Sequence, residues 1–273
     1  MRVDGVRRSL VLLGLVLTLT GCTTAGSGEH DGPEPERLRV QVLEERPHDP
    51  GAFTQGLELV DGVLYEGTGL LGQSSIRAVD PVTGQVRHRV ELPASLFGEG
   101  ITVVGDRIWQ LTWQQGVALE RDRNTLAELR RVPYEGEGWG LCYDGPPNAP
   151  NGSGQLVMSD GSATLTLRDP VTFQPTGRVV VRRAGEEVER LNELECTGGT
   201  VWANVWQTDE IVRIDLATGH VTAVVDASGL LGWRDRIAAD VLNGIAAVPG
   251  TDEFLVTGKN WPRLFRVRFT PEE

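Results

Sequence analysis

The sequence predicts an all-β fold, a five-bladed β-propeller with four-stranded antiparallel blades. Apolar residues alternate with polar ones throughout most of the chain, and this period of two is typical of strands rather than helices. A short pattern also recurs five times, at residues 55–59, 99–103, 139–143, 192–196 and 243–247. It begins with a polar residue or Trp, continues with Gly in four of five cases, and then has Leu or Ile. The recurrences start 40 to 53 residues apart, a period that indicates propeller blades.

Each repeat continues with further short strands after its first, inner strand. Second strands are expected at residues 63–65, 108–111, 156–158, 201–204 and 254–256. Third strands are expected at residues 75–79, 117–120, 164–167, 211–214 and 264–267. Turns rich in Asp, Pro and Gly then lead to fourth strands at residues 86–92, 129–133, 178–182 and 221–226. Only the insert at residues 230–242 is expected to be helical or irregular.

The fifth repeat lacks a fourth strand. An unused strand-like segment lies at the other end of the repeats, at residues 38–43. We therefore expect this segment to pair with the last blade and close the ring, because closure removes an exposed sheet edge. The propeller domain is expected to span residues 38–270.

The first 21 residues have the pattern of a secretory signal. Three arginines precede an apolar run at residues 10–19, which is too short to cross a membrane as a helix. The following Leu-x-Gly-Cys sequence resembles a bacterial lipobox, so Cys22 is expected to be lipidated; an ordinary signal with an incidental cysteine is the alternative. Residues 22–37 are predicted to be a flexible tether. We therefore expect secretion across the bacterial cytoplasmic membrane and anchoring to its outer face as a lipoprotein.

Composition excludes several classes of protein. The 273-residue chain has a formal net charge of -12 and no basic stripe, so nucleic acid is not an expected partner. Its four histidines and three cysteines have no metal-ligand spacing, and neither a metal nor a cofactor is expected. Cys142 and Cys196 lie one position apart in the repeat alignment. We expect them to point to opposite faces and to form no disulfide.

The inner strands of a propeller line its central channel, so their leading residues are expected to meet at one mouth. An aromatic-lined pocket with a few polar groups is typical of a small-ligand site. No histidine is placed for a Ser-His-Asp triad. The residues expected at this mouth are Gln55, Glu99, Trp139, Asn192 and Asn243 as leading residues, with Phe53, Phe97, Trp113, Trp206, Lys259 and Trp261 beside them.

Nine short segments in order resemble the plant and bacterial type of glutaminyl-peptide cyclotransferase. They are residues 53–57, 65–69, 97–102, 137–141, 159–161, 191–195, 204–206, 242–245 and 257–262. The resemblance implies a five-bladed propeller that converts the N-terminal glutamine of peptides or proteins to pyroglutamate, with release of ammonia and without zinc. By the same resemblance Glu99 is the general acid/base. The substrate would be surrounded by Phe53, Gln55, Phe97, Trp113, Trp139, Asn192, Trp206 and Lys259.

Some alternatives remain open from the sequence. Glu66 or Glu193 is a candidate to share proton transfer with Glu99. The chain is expected to be a monomer. An alternative to the enzyme is a non-catalytic surface lipoprotein that binds a peptide or sugar. The chain is also compatible with a propeller hydrolase whose calcium is held by Asn192, Asn243, Glu99 and Glu193.

Overall fold

The computed structural model describes residues 34–146 and 153–272. The predicted signal, Cys22 and most of the predicted tether lie outside these ranges. The described chain is all-β, and its only helical element is one 3-10 turn at Asp235–Ile237, inside the insert that was expected to be irregular. No helix in these ranges combines the length and apolar character needed to cross a bilayer.

Three successive stretches of the chain each form one four-stranded antiparallel sheet, with the strands in sequence order. After β1 (Glu36–Pro47), the first sheet contains β2 (Thr54–Val60), β3 (Val63–Thr68), β4 (Ser75–Val79) and β5 (Val86–Glu91). The second contains β6 (Gly98–Val104), β7 (Arg107–Thr112), β8 (Val117–Asp122) and β9 (Glu128–Pro133). The third contains β10 (Leu141–Asp144), β11 (Gln155–Met158), β12 (Thr164–Arg168) and β13 (Pro175–Val180). A hairpin of β14 (Arg182–Arg183) and β15 (Glu186–Glu187) follows.

The remaining strands form one eight-stranded sheet that also includes β1. They are β16 (Leu191–Thr197), β17 (Thr200–Val205), β18 (Glu210–Asp215), β19 (Val221–Asp226), β20 (Leu242–Ala247), β21 (Glu253–Gly258) and β22 (Arg263–Pro271). The order in the sheet is β16-β17-β18-β19-β1-β22-β21-β20. The predicted pairing of the first strand with the last is confirmed, since β1 runs antiparallel to β22 with Val40 opposite Phe269. β1 also pairs in parallel with β19, which was not predicted, and it begins two residues before residue 38.

Strands β2, β6, β10, β16 and β20 each lie at a sheet edge, and they contact one another in cyclic order. Their backbones approach so closely that glycine is required. A Cβ on Gly140 would lie 2.0 Å from the carbonyl oxygen of Asn192, and one on Gly100 would lie 2.6 Å from that of Trp139. In three of its four occurrences the recurring Gly therefore reflects contact between neighbouring edge strands, whereas Gly244 has a positive φ of 124°.

Glu193 occupies the glycine position in the fourth repeat. Its Oε1 accepts a hydrogen bond from the backbone N–H of Leu57 (3.1 Å), and its Oε2 accepts one from that of Ile245 (2.7 Å). The side chain is 1% exposed. Glu193 thus joins β16 to β2 and β20 at the centre of the ring of edge strands.

Large side chains fill the space between neighbouring sheets. Trp109 of the second sheet packs against Phe173, which follows β12, with ring centroids 4.8 Å apart. Both are buried, and the Arg168 guanidinium lies 4.8 Å from the Phe173 centroid. Full burial of each such aromatic side chain contributes about 1.5–3 kcal/mol. This packing fixes the sheets against one another and so fixes the relative positions of their edge strands.

Cys142 and Cys196 form a disulfide, with their Cα atoms 5.4 Å apart. The prediction that they stay apart is wrong. An offset of one position separates two residues when both lie in one sheet, because alternate side chains point to opposite faces. Here β10 and β16 belong to adjacent sheets. One face of the first sheet packs on the opposite face of the next, so side chains that point in opposite directions in the repeat alignment meet between the two sheets. The same offset therefore brings the two thiols together.

Candidate functional site

One end of the ring of edge strands holds a cavity of about 380 Å³. The residues that line it lie where the edge strands begin and where the second strands of the same sheets end. The structure brings together the expected acid/base Glu99 and all eight residues that were expected around the substrate: Phe53, Gln55, Phe97, Trp113, Trp139, Asn192, Trp206 and Lys259.

β-Bulges direct the polar residues toward this cavity. Gln55, Glu99 and Asn192 each fall within a register shift at the start of their edge strand. A bulge leaves its extra residue outside the ladder of backbone hydrogen bonds and turns its side chain, and bulges are frequent beside active sites. The sequence pattern located these residues, but the bulges were not predicted.

Glu99 is the central carboxyl of the cavity and is 4% exposed. Its Oε1 accepts a hydrogen bond from Gln55 Nε2 (2.9 Å), whereas its buried Oε2 has no hydrogen-bond partner among the described residues. Burial raises the pKa of Glu99 well above its usual value; the charge of Glu137 adds to this effect and that of Lys259 opposes it. The arrangement favours a carboxyl group that holds a proton and has one oxygen available to a ligand.

Gln55 is held in a fixed orientation. Asn243 Nδ2 donates to Gln55 Oε1 (3.2 Å) and to the carbonyl oxygen of Thr54 (3.0 Å). Gln55 Nε2 is consequently directed at Glu99. Asn243 was expected at the mouth, but it lies behind Gln55 and does not line the cavity.

The aromatic wall is fixed by one carboxylate. Glu137 Oε2 accepts hydrogen bonds from Trp113 Nε1 (2.7 Å) and Trp139 Nε1 (3.0 Å), and its Oε1 accepts one from Gln114 Nε2 (2.8 Å). Burial raises the pKa of Glu137, but these three hydrogen bonds outweigh it and the net shift is downward. An ionised Glu137 therefore orients both indoles.

The other aromatic rings meet edge to face. Phe97 lies between Phe53 and Trp113, with centroid distances of 6.3 Å and 5.5 Å. Trp206 meets the Trp139 ring at 5.4 Å. These contacts give the cavity a rigid apolar lining on several sides.

Lys259 contributes a buried cation. Its Nζ lies 4.8 Å from the centroid of the Phe53 ring, and the residue is 5% exposed. Burial lowers the pKa of Lys259, while Glu99 and Asp240 act in the opposite direction. In the part of the chain that the structure describes, Lys259 forms no direct ion pair.

Asn192 presents a second unpartnered oxygen. The residue is 2% exposed, and its side-chain Oδ1 has no hydrogen-bond partner within the described ranges. Its backbone oxygen accepts a hydrogen bond from Ser159 Oγ (2.6 Å). Buried polar atoms are rarely left unpaired, so this oxygen and Oε2 of Glu99 indicate where a polar ligand binds.

The other two candidate acids lie outside the cavity. Glu66 Oε1 accepts hydrogen bonds from Thr54 Oγ1 (2.8 Å) and lies 2.9 Å from His48 Nε2. Burial raises the pKa of Glu66, but His48, Arg77 and Thr54 outweigh it and lower the pKa overall. Glu193 is engaged by two backbone N–H groups. Neither carboxyl lines the cavity, so Glu99 alone of the three is in contact with it.

Three lining residues were not foreseen: Gln207, Asp240 and Val241. Gln207 has a left-handed backbone (φ 64°) just after Trp206, and the other two end the irregular insert. Irregular segments carry no periodicity that would place them, so no sequence signal pointed to these residues. Across residues 34–146 and 153–272, no group of three or more His, Cys, Asp or Glu side chains is arranged to hold a metal ion.

Three comparisons with known proteins indicate the same family. The family model described as glutamine cyclotransferase matches residues 13–269. The chain is 40% identical over 235 residues to a glutaminyl-peptide cyclotransferase from Arabidopsis thaliana, covering 84% of this chain and 71% of the relative. It is similar to the crystal structure of Myxococcus xanthus glutaminyl cyclase, with a TM-score of 0.79 and 38% identity, over 88% of this chain and 100% of that one. The chain therefore belongs to the glutamine cyclotransferase family.

Proposed function

We propose that this protein is a glutaminyl-peptide cyclotransferase, which converts the N-terminal glutamine of a peptide or protein to pyroglutamate and releases ammonia. One observation carries the proposal: the buried carboxyl of Glu99 lies in an aromatic cavity, and one of its oxygens has no hydrogen-bond partner in the described part of the chain. Family membership and the names of both relatives support the same reaction.

The first contribution of the cavity is orientation. Nucleophile and electrophile belong to the same glutamine residue, so the enzyme has to hold the side chain in its ring-closing conformation. Ordering of reactive groups in this way lowers a barrier by up to about 7–11 kcal/mol. The rigid aromatic lining described above suits this task, because a flat amide and its methylene chain pack well between rings.

The second contribution is proton transfer through Glu99. The α-amine nitrogen attacks the side-chain amide carbon, a new C–N bond forms, and the old amide C–N bond breaks to release ammonia. Glu99 as carboxylate accepts the proton that the attacking nitrogen loses, and as carboxylic acid it returns that proton to the leaving nitrogen. Burial raises the pKa of Glu99 well above its usual value, which makes its carboxylate a better proton acceptor than that of an exposed glutamate.

Two further groups would stabilise the charges that develop. The Lys259 ammonium is the buried cation of the cavity, so it lies where it would stabilise negative charge on the amide oxygen during attack. Oδ1 of Asn192, which has no partner among the residues that the structure describes, would accept a hydrogen bond from a substrate N–H. Each group would lower the activation free energy to the extent that its interaction is stronger in the transition state than in the bound substrate.

The proposed scaffold for this site is a five-bladed propeller. The cyclic contacts of β2, β6, β10, β16 and β20 support a count of five inner strands. In that arrangement β1 completes the last blade as its outer strand and joins it to β19 of the preceding one.

The function is tested by incubating residues 34–273 with a peptide Gln-Ala-Ala and measuring ammonia release together with the product mass. The N-acetylated peptide is the matched control, because it lacks the nucleophilic amine. We expect ammonia from the free peptide alone. Peptide binding without ammonia would support the non-catalytic alternative, and loss of activity with EDTA would support a metal-dependent enzyme.

We also propose that the protein is exported and anchored through a lipid on Cys22. The lipobox-like sequence and the preceding apolar run support this location. The disulfide of Cys142 and Cys196 supports it as well, since disulfides persist in oxidising compartments. Cys22→Ala is expected to move the protein from the membrane fraction to the soluble fraction of an expressing bacterium. Membrane retention of this variant would contradict the anchor.

A further inference from the structure

A groove of about 400 Å³ lies next to the aromatic cavity. The cavity and the groove share three lining residues, Gln207, Asp240 and Val241. One wall of the groove is the turn after β17, at residues 207–209. The other wall is the end of the insert, at residues 236–241.

The groove is fixed relative to the cavity by hydrogen bonds around Trp261. The indole Nε1 of Trp261 donates to the carbonyl oxygen of Asp240 (2.9 Å). The backbone N–H of Asp240 donates to Lys259 O (2.8 Å), and that of Lys259 donates to Val241 O (2.9 Å). Trp261 itself is 2% exposed. The wall that carries Asp240 is therefore tied to the residue that supplies the cation of the cavity.

The groove has an unbalanced negative charge. Arg236 Nη2 pairs with Asp209 Oδ2 at 3.0 Å, so these two charges offset each other. The side chain of Asp240 is exposed and accepts a hydrogen bond from its neighbour's backbone, Val241 N–H (2.7 Å). Among the residues that the structure describes, Asp240 has no ion-pair partner. Lys259, the nearby cation, is buried on the cavity side.

The rest of a bound glutaminyl peptide has to extend out of the cavity in one direction. Its α-amine and side-chain amide both have to reach Glu99, so its carbonyl end, which continues into the rest of the peptide, points toward an opening. The groove adjoins the cavity at the three shared residues, so it is the neighbouring space that a peptide leaving the cavity past them would enter.

We infer that this groove binds the residues that follow the N-terminal glutamine, and that Asp240 favours a cationic side chain among them. The inference rests on the proposed cyclotransferase function and adds a preference for part of the substrate. An exposed carboxylate and one ammonium group attract weakly in water, and a carboxylate on the substrate is repelled to a similar extent.

The test compares kcat/KM for the peptides Gln-Lys-Ala, Gln-Ala-Ala and Gln-Glu-Ala. For the unmodified protein we expect Gln-Lys-Ala to exceed Gln-Glu-Ala by about fivefold at low salt. The ratio should fall toward one at high salt, because exposed charges are screened. Asp240→Asn should reduce the ratio to about twofold or less at low salt. Asp106→Asn is the matched control, since it removes an exposed charge from the β6–β7 turn, outside the cavity and groove, and should leave the ratio unchanged.

Each outcome decides the inference. An unchanged ratio in Asp240→Asn, or an equal reduction in Asp106→Asn, would overturn the role of Asp240. Turnover of Gln-Ala-Ala with no dependence on the charge of the second residue would overturn the groove while leaving the cyclotransferase function in place. No ammonia from any of the three peptides would overturn both.

Discussion

Glu99→Gln separates catalysis from stability at one buried position. The substitution keeps the shape of the side chain and the oxygen that accepts the hydrogen bond from Gln55. It removes the ability to take and return a proton, so we expect turnover to fall by about 10²- to 10⁴-fold. Ammonia release from Gln-Ala-Ala at saturating substrate measures this loss. Asp106→Asn is the control, because it removes an exposed carboxylate outside the cavity and should keep activity within a few-fold.

The same substitution should not weaken the fold. The folded-state pKa of Glu99 is raised, so the folded protein binds its proton more tightly than the unfolded chain does. The contribution of Glu99 to the free energy of unfolding therefore falls as the pH rises above the unfolded-state pKa. Every unit by which the folded pKa exceeds the unfolded one corresponds to about 1.4 kcal/mol. Below the ordinary value of 4.5 both states are protonated and the effect vanishes.

Thermal unfolding at pH 4 and pH 8 checks this reasoning. The variant cannot ionise, so its Tm relative to the unmodified protein should be higher at pH 8 than at pH 4. Activity within a few-fold of the unmodified protein would refute proton transfer by Glu99. A relative Tm that falls between pH 4 and pH 8 would refute the raised pKa.

Glu137→Gln should lower kcat and shift the tryptophan fluorescence, because a neutral amide replaces the carboxylate that orients Trp113 and Trp139; each charge-assisted hydrogen bond is worth about 1.5–3 kcal/mol. An unchanged spectrum with unchanged kcat would contradict that role. Replacement of both Cys142 and Cys196 by Ser should lower the free energy of unfolding by about 2–4 kcal/mol, because the bond closes a loop of 54 residues. Chemical denaturation measures the loss, and dithiothreitol should destabilise the original protein but not the double variant.

The repeat pattern predicted most of the fold because it reflects a physical requirement. Edge strands that touch through their backbones require glycine, and this requirement appears in the sequence at a regular spacing. The one exception, Glu193, is explained only by the structure, where its carboxylate replaces a backbone contact with two hydrogen bonds. The disulfide was missed because the pattern describes each sheet separately. Contact between two sheets depends on which faces meet.

The candidate site was predictable to the extent that it lies on the repeats. Glu99, Gln55 and Asn192 occupy repeat positions, so their common location followed from the period. Asp240 and Val241 belong to an insert without periodicity, and nothing in the sequence placed them at the cavity. The hydrogen bonds of Glu137 were equally unforeseen, because they depend on side-chain directions that strand spacing does not specify.

The double role of β1 has a consequence for how the chain is put together. Its two neighbours, β19 and β22, both come from the last third of the sequence, so residues 36–47 have no partner until those strands have formed. Contacts of such large sequence separation form late and slow the folding reaction. A newly made chain would therefore keep its first strand unpaired for most of its synthesis.

The same geometry makes the chain permutable. Leu38, near the start of β1, lies opposite Pro271 at the end of β22, as in the two arms of a hairpin. A circular permutant that begins at β2 and carries β1 after β22 through a short turn would make the same strand pairs. It would convert the most distant pairing of the chain into a local one, so we expect it to refold faster while keeping the cavity intact.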